Sequence, residues 1–153
     1  MPKLAWLGLA AVFLLAGATQ SRADDISDDW DQLASACIGV ANTAWCETNR
    51  DKVMAPQFRK AFAGDYQSQR NVSYCLAEQF GCDGAMTYNR PLGCAWRIVI
   101  LLSGSARVDA TDTGFFDAWC RRVLSADERA VSMAQAGALY ERIYRKPLPT
   151  FSY

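Results

Sequence analysis

Six cysteines and not one histidine stand in a chain of 153 residues, and that combination narrows what the chain can become. Zinc sites are usually built from cysteines roughly two to four residues apart, or from cysteine together with histidine. Cys37, Cys46, Cys75, Cys82, Cys94 and Cys120 form no such close pair and have no histidine to join. No metal site is expected from them. An even set of cysteines in a chain bound for an oxidising compartment reads instead as a disulfide framework, here of three bridges. Spacing alone leaves many pairings open, although a Cys37 to Cys46 bridge would pin the turn after a first helix.

The N-terminus supplies the address that this reading needs. Lys3 gives one positive charge, Leu4 to Ala18 is apolar without a charge, and small residues follow at Ser21 and Ala23. An apolar stretch of that length falls short of the ~20 residues that a helix needs to cross a bilayer. The pattern is that of a signal peptide over residues 1–23, cleaved after Ala23. With no cysteine at the cleavage point, lipid attachment is not expected, and no transmembrane segment is expected after cleavage. The remainder, residues 24–153, reads as a single domain, periplasmic or secreted. Losing Lys3 and Arg22 leaves acidic side chains in slight excess, and the remaining basic residues are scattered singly or in pairs such as Arg121 with Arg122. Nucleic-acid binders carry a basic stripe, so that class is excluded.

Periodicity places this domain in the all-α class. Trp30, Leu33, Ala34 and Cys37 recur at helical intervals behind an Asp-rich entry that suits a helix N-terminus. A short second helix is expected from near Pro56 to Gly64, and a third over residues 67–81, with Val72, Leu76 and Phe80 on one face. Pro91 opens a fourth, closed by Gly104; its run WRIVILL also fits a buried strand, but the length and the Pro and Gly punctuation favour helix. A fifth runs through Phe115, Phe116, Trp119, Cys120 and Val123. Ser125 and Glu128 then make the S-x-x-E capping box of a long last helix, stopped by Pro147 and Pro149.

Residues 74–97, YCLAEQFGCDGAMTYNRPLGCAWR, carry a resemblance that periodicity does not reveal. Tyr74, Leu76, Ala77, Phe80, Gly84, Ala95 and Trp96 fall at the spacings of a Sel1-like repeat, a relative of the tetratricopeptide repeats built from two antiparallel helices. Ala77 stands where glycine is usual, the paired glycines of the turn are missing, and there is no second clear copy. The resemblance implies a helical hairpin near residues 67–104, flanked by helices that cap it, and a protein-binding role without catalysis. Antiparallel hairpin geometry would also bring Cys82 and Cys94 together, leaving Cys75 to pair with Cys120.

No catalytic residue is expected. Without histidine the common general base is missing, and cysteines held in disulfides are not nucleophiles. Glu78 and Asp83 are the one carboxylate pair to consider for glycosidase chemistry, although a solvated helix-face glutamate explains Glu78 more simply. Asp109 and Asp112 offer oxygen ligands for calcium, but capping of a helix by Asp112 or Thr113 is the simpler account. The Asn71-Val-Ser73 sequon falls inside a predicted helix, which argues against its use. Trp30, Trp45, Trp96 and Trp119, with Tyr66, Tyr140, Tyr144 and Tyr153, exceed what a domain of this size requires; most are expected in the core, and exposed members would serve as interface anchors. Tyr88, Asn89 and Arg90 in the hairpin loop and Arg97 beyond it are the candidate binding residues. The expected function is an exported protein-interaction module with a protein partner in the cell envelope and no cofactor. An inhibitor or immunity protein against an exported toxin or wall hydrolase is the alternative, and a histidine-free wall glycosidase a third.

Overall fold

Small polar residues ahead of the apolar runs decide where most of the helices begin. The computed structural model describes residues 26–78 and 81–153; the expected signal peptide, and Phe80 of the expected third helix, lie outside the described residues. Asn42 caps α2 (Thr43–Thr48), Asp65 caps α4 (Tyr66–Ala77), and Asn89 caps α5 (Arg90–Leu102), each side chain accepting a backbone N–H of the first turn. Asp109 opens α6 (Ala110–Phe116) with a capping box closed by Asp112, so the cap stands earlier than the expected Asp112 or Thr113. Ser125 and Glu128 form the expected capping box of α7 (Ala126–Tyr144). Arg145 ends α7 in the left-handed conformation and donates its N–H to Glu141. Residues 26–33 form α1.

Two compact units divide the chain, Met1–Gln32 and Leu33–Tyr153. Of the first, the described residues are 26–32, all within α1. The second is all-α and stapled by disulfides. Among the described residues there is no strand, only an isolated antiparallel bridge between Ala34 and Met86. The helix expected to start near Pro56 is α3 (Ala55–Phe62), and an unexpected π-helical turn, Asn49–Met54, joins it to α2. In that wider register Ala55 donates to the Arg50 carbonyl, and Pro56, which has no N–H, enters α3 in its first turn. A second π turn, Asp117–Arg121, continues α6.

The central element is α5. Every residue from Gly93 to Ile100 is buried, which explains why its sequence reads equally as a strand: a helix enclosed on all sides has no polar face to mark its period. It packs against α4 and α7, and Trp96 meets Phe62 of α3 edge to face at 5.2 Å. The approach to α4 is close. A Cβ placed on Gly93 would lie 2.8 Å from the Ala77 Cβ and 2.7 Å from its backbone N, and the Ser73 hydroxyl donates to the Gly93 carbonyl. The pair is antiparallel, since Ser73 meets Gly93 while Arg70 and Arg97 meet at a common carboxylate further along. Beyond α7, Phe151 and Tyr153 return to the ring of Phe116, and the Tyr153 hydroxyl donates to Ser132.

All six cysteines are paired, but two of the three bridges differ from the pairing that hairpin geometry suggested. Cys37 joins Cys46 as expected; Cys75 joins Cys82, and Cys94 joins Cys120, with Cα separations of 5.9, 5.2 and 5.6 Å. The reason lies in where α4 stops. It ends at Ala77 rather than near Gly81, so the following turn folds Cys82 back over the last turn of α4. Cys94, one turn into α5, then faces the π turn that carries Cys120. On the chain-entropy model this long bridge is worth about 3.5 kcal/mol and each short one about 2.5 kcal/mol.

The α4–α5 contact predicts opposite outcomes for two similar substitutions. Gly93→Ala should cost roughly 1–3 kcal/mol, because the added methyl group meets the backbone of Ala77. Gly114→Ala, where a Cβ meets nothing within 4 Å, should be neutral or stabilise by about 0.5–1 kcal/mol through helix propensity. Urea denaturation of the two variants checks this; similar midpoints would contradict the close packing.

Candidate functional site

Two irregular segments, residues 34–42 and 81–87, lie side by side and form a platform at one end of α2. Ser35 donates to the Ala85 carbonyl at 3.1 Å and Thr87 to the Leu33 carbonyl at 2.7 Å, while Arg50 reaches the Ser35 carbonyl at 3.0 Å. Each segment is tied to a helix by a disulfide, the first to α2 through Cys37–Cys46 and the second to α4 through Cys75–Cys82. The second makes a sharp turn in which Cys82, Asp83 and Gly84 are all left-handed, with φ of 56°, 54° and 76°. L-residues enter that region at a cost of ~1–2 kcal/mol each. The turn is held from outside by the bridge and by the Asn49 amide, which donates to the Cys82 carbonyl at 2.8 Å. Gly84 has no room for a side chain, since a Cβ there would lie 2.8 Å from Val40 Cγ1.

Between these segments opens a cavity of about 590 Å³, bordered by residues 39–42, Trp45, Asp83 and Gly84. Trp45, in the first turn of α2, donates its indole N–H to Asp83 Oδ2 at 2.7 Å and is still 56% exposed. Ile38, between Cys37 and Gly39, is 88% exposed. Burying an apolar side chain is worth roughly 1.5–3 kcal/mol, so an isoleucine fixed in water on a stapled loop is surface available to a partner.

A second cluster is closed and structural. Asp112 is fully buried; its Oδ2 accepts from the Tyr66 hydroxyl at 2.5 Å and from the Asp109 backbone N–H at 3.2 Å. Its Oδ1 faces Arg70 Nε at 3.1 Å and Arg97 Nη1 at 3.7 Å, as ion pairs without hydrogen-bond alignment. Burial lowers the Arg97 guanidinium to about 10 against the pull of Asp112, and burial together with the Asp112 hydrogen bond raises the Tyr66 hydroxyl. The cluster ties α4, α5 and α6 at one carboxylate.

The expected binding residues are not brought together as one surface. Tyr88 is exposed, and Arg90 lies 5.5 Å from its ring centroid. Asn89 uses its side chain as the α5 cap. Arg97, expected on a binding face, is only 6% exposed: its place at the centre of α5 turns it toward Asp112. Glu78 ends α4 and burial raises its carboxyl above the usual range, but it does not border the cavity that holds Asp83. Asp109 and Asp112 form the capping box of α6. Trp45 stood among the candidate aromatic anchors; Ile38 was not singled out, although an apolar residue between a cysteine and a glycine is a visible signal.

In comparisons with protein families, curated proteins and solved structures, nothing matches this chain.

Removing Asp112 should be far more damaging than removing one of its partners. Asp112→Ala leaves Arg97 buried without a counter-charge and should cost about 3–5 kcal/mol, whereas Arg97→Met leaves Arg70 facing the carboxylate and should cost clearly less. Denaturant midpoints decide it, and equal losses would show that Arg97 is the main partner.

Proposed function

We propose that this chain is an exported protein-interaction module, periplasmic or secreted, that binds a protein partner in the cell envelope and has no catalytic role of its own. The observation behind this reading is the pair of exposed apolar side chains, Ile38 and Trp45, both within the loop that the Cys37–Cys46 disulfide closes. Ordering a loop before binding removes an entropic cost from the complex, which is a reason to staple a recognition surface. Export is supported by the signal-like N-terminus and by three disulfides, which persist in oxidising compartments. No helix among the described residues is long and apolar enough to cross a membrane.

In this reading α4 and α5 are the Sel1-like hairpin, with Leu76, Ala77, Ala95 and Trp96 buried at positions that match the repeat. Tyr74, at the first motif position, is 47% exposed, so the match concerns the inner face of the pair. An inhibitor or immunity protein would use the same surface, and the identity of its partner separates the two.

Expression with the natural N-terminus, followed by fractionation and intact-mass measurement, should give an exported chain beginning at Asp24 with every cysteine oxidised. Immobilised on beads, that protein should retain an envelope protein that its Ile38→Asp variant does not. A retained leader with free thiols would contradict export, and a capture profile unchanged by Ile38→Asp would contradict the assigned surface.

A further inference from the structure

Among the described residues, Asp83 is the one charged side chain that borders the 590 Å³ cavity. Among the described residues no basic group pairs with it; one oxygen takes the Trp45 indole N–H, and the other has no hydrogen-bond partner. Arg50, whose side chain reaches the platform, is committed to Asp51 at 2.7 and 2.9 Å and to the Ser35 carbonyl. The aromatic ring of Trp45 and the carboxylate of Asp83 are thereby locked edge to group, with much of the indole open to solvent. A ring face beside an unanswered carboxylate is the surface that attracts an organic cation, the ring through its quadrupole and the carboxylate through its charge. Asp83 is also held in a left-handed conformation that its backbone does not favour, and such outliers concentrate where a side chain must be aimed.

We propose that the Trp45–Asp83 cavity receives a basic side chain, arginine or lysine, of the protein partner, with a neighbouring apolar residue of that partner resting on Ile38. This specifies the partner's chemistry and rests on the interaction-module reading. The lone negative charge selects a cation over a neutral or acidic ligand. Ile38, next in the chain to Gly39 of the cavity wall, is exposed apolar surface that a free small cation would leave in water, which selects a peptide segment.

The probe is a short amidated peptide, acetyl-Leu-Arg-Leu, compared with its citrulline counterpart, which keeps the shape and lacks the charge, and with methylguanidinium alone. Binding to the full exported chain is read by NMR at the Trp45 indole N–H and the Gly84 amide. The arginine peptide should bind about tenfold more tightly than the citrulline peptide, and Asp83→Asn should remove that difference. Asparagine tolerates the left-handed region and can still accept the indole N–H, so the variant isolates the charge. Should it fail to fold, Trp45→Phe, which keeps an aromatic face, is to retain the preference for arginine over citrulline. Equal binding of both peptides, a preference undiminished in Asp83→Asn, or methylguanidinium binding as tightly as the peptide would overturn the proposal. The two readings fail separately. An envelope partner retained equally by wild type and Asp83→Asn overturns the basic-side-chain inference alone, whereas capture of no partner by the wild type overturns the module itself.

Discussion

The Cys75–Cys82 disulfide holds a turn that the backbone would not choose. Two consecutive non-glycine residues in the left-handed region cost on the order of 2–4 kcal/mol together. The bridge contributes about 2.5 kcal/mol on the chain-entropy model, and the Asn49 hydrogen bond about 1 kcal/mol more. These terms are of similar size, so the bridge and the hydrogen bond can together offset the strain of the turn. What depends on it is extensive: the carbonyl of Ala85 for Ser35, the contact of Gly84 with Val40, and the position of Asp83 at the indole N–H of Trp45. Cys37–Cys46 closes the opposite wall in the same way.

The two charged groupings show how burial changes what a carboxylate does. Asp112 is buried among Tyr66, Arg70 and Arg97, where one oxygen is hydrogen-bonded and the other faces two guanidinium groups, and breaking the set leaves a buried charge. Asp83 sits at the surface with one oxygen used and one open, beside an aromatic ring that half faces water. The first arrangement fixes the relation of three helices. The second leaves an interaction unfinished, as a recognition site must. Both rest on α4, which supplies Tyr66 and Arg70 near its start and Cys75 near its end.

Much of the fold was legible because it is written in local chemistry. The Ser125–Glu128 box, the stop of α5 before Gly104 and the Cys37–Cys46 bridge each act within a few residues, and each holds in the structure. The π turn before Pro56 was not legible, since nothing in Asn49–Met54 distinguishes a five-residue register from an ordinary one. The disulfide pairing failed for a different reason: it depended on where α4 ends, and a shift from Gly81 to Ala77 changes which cysteine Cys82 can reach. The candidate site was legible only in part. Trp45 was visible as a surplus aromatic, but its partnership with Asp83 joins residues 38 apart in sequence, which no periodicity encodes. Arg97 looked like a surface arginine for the same reason, because its partner Asp112 comes from another helix.

The dependence of the site on its staple is open to a direct measurement, the hydrogen exchange of the Trp45 indole N–H in the native chain and in a Cys75→Ala/Cys82→Ala variant. The variant should keep protected amides across α5 while the Trp45 indole, released from Asp83, exchanges at least about tenfold faster. Equal protection of that indole in both proteins would contradict it, because the turn would then hold its shape without the bridge.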